Sequence, residues 1–274
     1  MNALGQSTSG LTQRFAGKKR IAVWQFRELV VSGRTMAHNS AYAVGSPEKR
    51  NSRMRRILAY LLRIGGSVAI AAAVAAQLQL SVQVEKDGKG EVGFVVQNFF
   101  SFFTIESNVL AAVALFIGIF TLGSRKPDSM AWTVFRAAAT TFMVTTGVVY
   151  NLLLRGIELP QGTTIGWSNE ILHVIAPAVM LLDWIIAPGR RALGAKALWS
   201  IVAFPILWAG YTLLRGALIV DPRTNGPWYP YPFLNPHTSV NGYYTVGFYV
   251  LLIGVLIGSV GAAVLWISRV RRRA

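Results

Sequence analysis

One histidine of this sequence lies inside an apolar run long enough to cross a membrane, where ionisable side chains are rare. His173 falls near one end of Trp167–Trp184 (WSNEILHVIAPAVMLLDW), and Asp183 follows it ten residues later. An imidazole changes its charge near neutral pH, so it can serve as a general acid or base. A charge at the centre of a bilayer costs roughly 2.5–3.5 kcal/mol, so such residues usually mark a partner or a function. A lone histidine in a membrane helix more often forms a hydrogen bond to a neighbouring helix than it acts in catalysis. The residues near His173 decide between these two roles.

The sequence places a polar helix face at the same membrane depth as His173. Thr104 lies about a turn and a half below the outer end of the second apolar run, and His173 about one turn below the outer end of the fourth. Gln97, Ser101, Thr104 and Asn108 recur every three or four residues, which predicts one face directed into the bundle. A threonine hydroxyl often donates a hydrogen bond to its own helix backbone. Thr104 is therefore a candidate for catalysis only if a histidine lies beside it.

Three further apolar runs carry polar residues at this outer level. They are Tyr150, Asn151 and Arg155 in the third run, Tyr211 and Arg215 in the fifth, and Tyr243 and Tyr244 in the sixth. Five helices are therefore predicted to contribute polar groups to one layer. This convergence is the most informative feature of the sequence.

The composition indicates a protein that crosses a membrane several times. Of 274 residues, 53% are hydrophobic and 14% are charged, which excludes an ordinary soluble domain. Cysteine is absent and the three histidines have unrelated spacings, so neither a metal site nor a cofactor is predicted. The net charge of +16 would suit nucleic acid, but the basic residues flank the apolar runs, where they set topology and bind anionic lipid. The predicted partners are therefore membrane lipids and not nucleic acid, and the oligomeric state is left open.

Six apolar runs are each long enough to cross about 30 Å of hydrocarbon as a helix. They are Ile57–Leu80, Phe99–Leu122, Trp132–Leu154, Glu170–Ala187, Ala197–Val220 and Tyr243–Ile267. The predicted fold class is all-α, a bundle of six transmembrane helices in residues 57–268. A basic, disordered tail is predicted for residues 1–56 and a basic end for residues 269–274. Met36 is an alternative start, which would leave residues 1–35 untranslated.

The positions of the basic residues predict the orientation of the bundle. They lie in the tail, after the second run (Arg125 and Lys126), after the fourth run (Arg190 and Arg191), and at the C-terminus. The other connections carry few or balanced charges. By the positive-inside rule both termini are predicted to be cytoplasmic, with the protein in the cell membrane.

Four stretches of the sequence resemble the androgen-induced membrane hydrolase family, which also includes the androgen-dependent regulator of tissue factor pathway inhibitor. They are FFSFFTIESN (Phe99–Asn108), GVVYNLLLRG (Gly147–Gly156), GWSNEILHVIAPAVMLLDW (Gly166–Trp184) and GPWYPYPFLNP (Gly226–Pro236), in the family's order. The likeness covers the second to the sixth run, and the chain looks like one of the family's bacterial relatives, whereas the basic tail has no counterpart. Animal members are six-helix threonine hydrolases that cleave fatty acid esters of hydroxy fatty acids inside the membrane.

The resemblance implies an intramembrane hydrolase of fatty-acyl esters that acts in the outer leaflet. Motif by motif, the family's nucleophile falls on Thr104 and its histidine on His173. Thr104 would attack the ester carbonyl and form an acyl-enzyme after His173 takes its proton. His173 would then protonate the departing alkoxide and activate a water.

Several side chains are candidates to support this pair. Asn169 and Glu170 precede His173 by four and three residues on one helix face, so either could orient the ring. The oxyanion donor is left open among Asn108, Asn151 and the tyrosines, Tyr150 included. Glu106 lies about 200° around the helix from Thr104 and is predicted to point away from the site.

A second pair is predicted nearer the cytoplasm. Arg136 and Asp183 each lie toward the inner end of an apolar run, where a lone charge is costly, so they are expected to form a structural ion pair. Asp183 would lie some 15 Å below His173, too far to contact it.

Two other classes of function remain open at this point. The chain could be a membrane scaffold or lipid-binding protein that keeps the fold without chemistry. A small transporter fits less well, because polar residues gather in one leaflet and the two halves lack paired broken helices. The segment Tyr229–Pro236 is read as an interfacial aromatic anchor, with a lid over the site as the alternative.

Overall fold

The structure is a computed structural model that describes residues 47–88, 90–124, 126–157 and 163–270. The chain divides into two units, Met1–Met54 and Arg55–Ala274. Of the first unit only residues 47–54 are described, as the beginning of a helix. Most of the predicted tail and the last four residues therefore lie outside the described residues. Residues 47–56, which the sequence assigns to the irregular tail, are helical.

Six helices are long and apolar enough to cross a membrane, and they are called the first to the sixth span below. Their bounds are Lys49–Asp87, Phe103–Gly123, Met130–Leu154, Gly166–Ile186, Lys196–Leu218 and Tyr243–Val270. Large apolar side chains such as Phe120 and Leu218 stay exposed on these helices, as expected for surfaces that face lipid. The predicted all-α fold with six spanning helices is confirmed.

The third span is the centre of the bundle. It packs against the second, fourth, fifth and sixth spans. Its helix Met130–Val149 buries many small or hydroxylated side chains, Thr140, Thr141 and Thr145 among them. Thr140 and Thr141 donate to carbonyls four residues earlier at 2.8 Å, so their hydroxyls are satisfied within the helix. Small side chains that satisfy themselves in this way allow four helices to approach one.

The second span begins four residues later than predicted. A separate helix, Val92–Phe99, precedes it, and Phe102 is extended (φ −75°, ψ 126°) just before the helix starts at Phe103. The predicted continuous face of Gln97, Ser101, Thr104 and Asn108 is therefore wrong, because Gln97 lies before the break and Ser101 lies within it. The consequence is that Thr104 occupies the first turn of a helix, where backbone N–H groups have no partner within the helix.

Two π-helical turns lie at the ends of the third and fourth spans that the sequence predicts to be the outer ones. They are Tyr150–Leu154, which follows the helix Met130–Val149, and Ile171–Ile175, which joins the helices Gly166–Glu170 and Ala176–Ile186. Gly147 allows the two spans to approach here, because a Cβ atom at this position would lie 3.0 Å from the ring of Pro177. Inserted π-turns are frequent at functional sites, and His173 lies in one of them.

The connection between the fifth and sixth spans is an ordered loop. It contains a pair of antiparallel two-residue strands, Val220–Asp221 and Gly226–Pro227, and a 3₁₀ turn at Pro232–Leu234. Leu234 and Tyr231 are buried, so the loop packs into the bundle. The connection between the third and fourth spans is described only in part.

The end of the bundle that the sequence predicts to be the inner one holds a buried network of four charged side chains. The predicted ion pair is present, with Arg136 Nη2 2.9 Å from Asp183 Oδ2. Arg63 of the first span also binds Asp183, with Nε 2.7 Å from Oδ1. Arg136 extends the network to Asp128, whose Oδ2 lies 2.6 Å from Nη1. Two arginines and two aspartates, all with buried side chains, thus balance each other's charge.

Candidate active site

Thr104 lies buried in the first turn of the second span, and its hydroxyl contacts a tyrosine from the loop between the fifth and sixth spans. The backbone N–H of Thr104 donates to Tyr231 Oη at 3.2 Å. The Thr104 Oγ1 atom is also 3.2 Å from Tyr231 Oη. The phenol therefore caps the helix and holds the threonine hydroxyl in one orientation.

Neighbouring aromatic side chains hold Tyr231 in place. Its ring stacks on Phe233 at 5.2 Å and meets the edge of Phe102 at 5.6 Å. Burial raises the pKa of the Tyr231 phenol above its usual value of 10, although its bonds to Thr104 act in the opposite direction. The hydroxyl therefore keeps its proton at any pH near neutrality. The prediction of an interfacial anchor is wrong for this residue, because Tyr231 is only 9% exposed.

His173 is held from two sides. Its Nδ1 atom lies 2.9 Å from the backbone oxygen of Asn169, one turn earlier. A carbonyl only accepts, so the neutral ring carries its proton on Nδ1 and its lone pair on Nε2. The ring of Tyr150 stacks on the imidazole at 3.9 Å between centroids. Nε2 has no hydrogen-bond partner among the described residues, so it is available as a base.

The two residues predicted to orient the ring behave differently. Asn169 acts through its backbone oxygen, while its side-chain amide donates to the Tyr150 hydroxyl. This places the stacked tyrosine as well as the imidazole. Glu170 instead accepts two hydrogen bonds of 2.8 Å from Arg155, and both side chains are about half exposed. Glu170 therefore belongs to a surface ion pair and makes no hydrogen bond to His173.

The two asparagines predicted as oxyanion donors have no donor to spare. Asn108 Nδ2 donates to the backbone oxygens of Thr104 at 2.8 Å and of Leu172 at 3.1 Å. Asn151 Nδ2 donates to Gly147 O at 2.7 Å and to His173 O at 3.5 Å. Because an amide has two N–H hydrogens, both residues are occupied in fixing backbone. They set the relative positions of the second, third and fourth spans.

Thr104 and His173 line the same cavity. It measures about 350 Å³, and its wall also includes Tyr150, Asn169 and Tyr231. No hydrogen bond joins Thr104 directly to His173 within the described part of the chain. The cavity between them has room for water, which occupies about 30 Å³ per molecule in the liquid.

A second cavity meets the first at Thr104 and Tyr231. It measures about 530 Å³ and runs between the second, third, fifth and sixth spans, with mostly apolar walls. Leu154 also lines both cavities. Thr104 is thus placed where two spaces of different polarity adjoin.

The remaining polar residues of the outer level divide into two groups. Arg215 Nη2 donates to Asn98 Oδ1 at 2.7 Å, and the Tyr211 hydroxyl is 3.3 Å from Ser101 Oγ, so both tie the fifth span to the segment before Thr104. Tyr243 and Tyr244, expected in the same layer, are 64% and 89% exposed and do not join it. Glu106 is partly buried and lines neither of the two cavities.

Sequence reasoning missed the specific role of Tyr231. The residue lies 127 positions after Thr104, in a loop whose aromatic composition fits an interfacial anchor equally well. The available signal was the WYPYPFL loop itself, since four aromatic and two proline residues indicate an ordered segment. Among the described residues, no group of three or more histidine or acidic side chains could hold a metal ion.

No protein family, curated protein or solved structure matches the chain in comparisons of its sequence and fold. The assignment of a function therefore depends on the arrangement of Thr104, His173 and Tyr231 around a common cavity, and on the resemblance carried by the motifs that contain them.

Proposed function

We propose that this chain is an intramembrane hydrolase of lipid esters, with Thr104 as nucleophile and His173 as general base. The observation that carries the proposal is that both side chains line one cavity inside the outer end of the bundle. The fixed tautomer of His173, with its proton on Nδ1, supports it further, because this leaves a basic nitrogen without a partner among the described residues.

The reaction proceeds in two halves. The hydroxyl proton of Thr104 passes to His173 Nε2 through a water in the shared cavity, and Oγ1 bonds to the ester carbonyl carbon, whose oxygen takes the negative charge. Collapse of this intermediate breaks the bond to the alkoxide, which receives the proton from Nε2 and leaves as an alcohol. A water then gives a proton to His173, and its oxygen attacks the acyl-threonine carbonyl. Collapse of the second intermediate breaks the bond to Oγ1, which receives the proton from His173, and releases a carboxylic acid.

Tyr231 is the oxyanion donor in this proposal. Its hydroxyl lies 3.2 Å from Thr104 Oγ1, and its raised pKa keeps it protonated. Asn108 and Asn151 are excluded from this role because their amide hydrogens are engaged by backbone oxygens. A buried, positioned donor stabilises charge that develops in the transition state more than charge in the substrate.

The two cavities suit the two parts of a fatty-acyl ester. The apolar space of about 530 Å³ accommodates the hydrocarbon chain, and the smaller space near His173 and Asn169 accommodates the leaving group. The ester carbonyl then lies at Thr104, where the spaces meet. The substrate class is accordingly a neutral or singly charged ester of a long-chain fatty acid.

Labelling with a fluorophosphonate probe tests the chemistry directly. We expect the purified protein to gain one phosphonyl group, located on Thr104 by peptide mass spectrometry, because the probe reacts with activated hydroxyl nucleophiles. Thr104→Val removes the hydroxyl at similar volume and should abolish the labelling. Thr145→Val is the matched control, since Thr145 lines only the apolar cavity. An adduct on another residue, or none on a folded protein, rejects the hydrolase.

Lipid binding without hydrolysis is the second candidate function. It is favoured by one observation, namely that the Thr104 hydroxyl contacts Tyr231 and makes no direct hydrogen bond to His173. In that case the same cavities hold a lipid, and Tyr231 serves only as a helix cap. Bound ester would then be recovered intact from the purified protein after prolonged incubation.

We further propose that the protein lies in the cell membrane with both termini on the cytoplasmic side. This orientation puts the site in the outer leaflet. The support is the distribution of basic residues over the inner connections. The chain has no cysteine, so single cysteines can replace Lys89 and Arg125 without further changes. An impermeant maleimide added to whole cells should label position 89 and spare position 125. The opposite pattern reverses the orientation.

A further inference from the structure

The inner end of the bundle contains a polar cavity that takes no part in the proposed hydrolysis. It measures about 330 Å³ and lies between the start of the first span, the end of the second span and the connections that follow the second and fourth spans. Its charged lining residues are Arg56, Arg63, Lys126, Asp128 and Arg190. Four basic groups and one acidic group thus surround a space large enough for a small ligand.

The deepest charges of this cavity are already balanced. Arg63 binds Asp183, and Asp128 binds Arg136, in the network of two arginines and two aspartates described above. Arg63 also donates to the backbone oxygen of Gly118. These side chains form a rigid, neutral floor, because the donor and acceptor groups face each other inside the protein.

The positive charge of the cavity comes from the residues nearer its mouth. Arg56 lies two helical turns before Arg63 on the same side of the first span, and its Nη1 donates to Leu122 O at 3.0 Å. Lys126 is exposed on the connection after the second span. Neither residue has an acidic partner among the described residues. Each can therefore offer its charge to a ligand.

Arg190 is held against the opposite wall. Its Nη1 donates to backbone oxygens at the end of the fourth span, with Ala187 O at 3.3 Å and Ile185 O at 3.4 Å. Its guanidinium also lies 5.5 Å from the ring centre of Trp184. These contacts hold the Arg190 side chain in one position beside the cavity. The side chain therefore loses little conformational entropy when an anion binds.

We propose that this cavity binds a phosphate group. Three cations from three different segments (Arg56, Lys126 and Arg190) converge on it, and a guanidinium matches phosphate oxygens with paired N–H donors. A phosphate monoester carries up to two negative charges, so it balances this excess better than a carboxylate. The position at the basic end of the bundle allows two sources, namely the headgroup of an anionic phospholipid or a soluble phosphate compound.

Thermal unfolding of the purified full chain in detergent, with titrated probes, tests the site. The probes are dioctanoyl phosphatidic acid, dioctanoyl phosphatidylcholine as the zwitterionic control, and inorganic phosphate. We expect phosphatidic acid to raise the Tm in a saturable manner and phosphatidylcholine to leave it unchanged. In Arg56→Gln/Lys126→Gln the half-saturating concentration should rise roughly tenfold to a hundredfold, since a lost charge-assisted hydrogen bond weakens binding about tenfold.

The matched control is Arg55→Gln/Lys196→Gln, which removes one arginine and one lysine from the same end of the bundle. Both residues are exposed and neither lines the cavity. This variant should bind phosphatidic acid like the wild type. Equal weakening in the two double variants indicates diffuse surface charge and overturns the proposal, as does the absence of a saturable shift with every probe.

A shift with inorganic phosphate alone retains the phosphate site and assigns it to a soluble ligand. If the double variant does not fold, Lys126→Gln alone, on an exposed connection, provides the same comparison.

Discussion

Thr104→Ala is expected to reduce ester hydrolysis roughly a thousandfold or more, because it removes the group that forms the covalent intermediate. His173→Ala should cost nearly as much. The variant that lacks both residues should be no slower than either single variant, since residues that act as one unit are strongly non-additive. Release of product from a long-chain p-nitrophenyl ester in mixed micelles gives the rate. A retained Tm in each variant separates lost chemistry from lost folding.

Two conservative variants sharpen this expectation. Thr104→Ser keeps the hydroxyl and should retain measurable activity, whereas Thr104→Val should not. Glu106→Gln is the control within the same helical turn, because Glu106 lines neither cavity. Substantial hydrolysis by Thr104→Ala contradicts the assignment of the nucleophile, whatever the other variants do.

Tyr231→Phe distinguishes an oxyanion donor from a simple cap. Loss of one such donor lowers kcat by roughly 10²–10³-fold, with a smaller effect on KM. Because burial raises the pKa of the Tyr231 phenol above 10, the wild-type rate should show no decline from its ionisation between pH 7 and pH 9. If Tyr231 only caps the helix, Tyr231→Phe will lower the Tm and leave kcat nearly unchanged.

Asp183→Asn is expected to destabilise the protein by about 3–5 kcal/mol, because it leaves a buried arginine without a carboxylate partner. Arg63 loses its only carboxylate partner among the described residues, and Arg136 keeps Asp128. The measurement is the free energy of unfolding in detergent. Glu170→Gln is the matched control, since the exposed Arg155–Glu170 pair should contribute no more than about 1 kcal/mol.

A double-mutant cycle shows whether the buried charges act together. Arg63→Met and Asp183→Asn should each be costly, while the combined variant should recover part of the loss because no cation is then left without a partner. Strictly additive losses contradict a coupled network. They would mean that each side chain contributes through packing alone.

The spanning helices could be predicted because each needs about 20 apolar residues, and no other regular structure satisfies its backbone in lipid. Their ends could not. The break at Phe100–Phe102 is invisible to hydropathy, since a phenylalanine-rich segment is apolar whether it is helical or extended. The π-turn around His173 could not be predicted either, because hydropathy does not report the close approach of Gly147 to Pro177 beside it.

The candidate site was predictable in part. The common depth of Thr104 and His173 followed from helical rise and orientation, and both line one cavity. The support for each residue was not foreseen, because Asn169 orients His173 through its backbone oxygen and Tyr231 reaches Thr104 from a distant loop. At the predicted inner end, the pairing of Arg136 with Asp183 could be predicted, because each is a lone charge within an apolar run. Arg63 was overlooked, although it also lies within an apolar run.

The buried charge network has a consequence for the order in which the chain assembles during synthesis. Arg63 enters the bilayer with the first span, but Asp183 arrives only with the fourth, 120 residues later. Until then Arg63 must remain near the headgroups or bear the cost of a lone cation in lipid, roughly 2.5–3.5 kcal/mol. Arg136 does not share this delay, since Asp128 precedes it by eight residues. We therefore expect the first span to complete its insertion only when the fourth span is present.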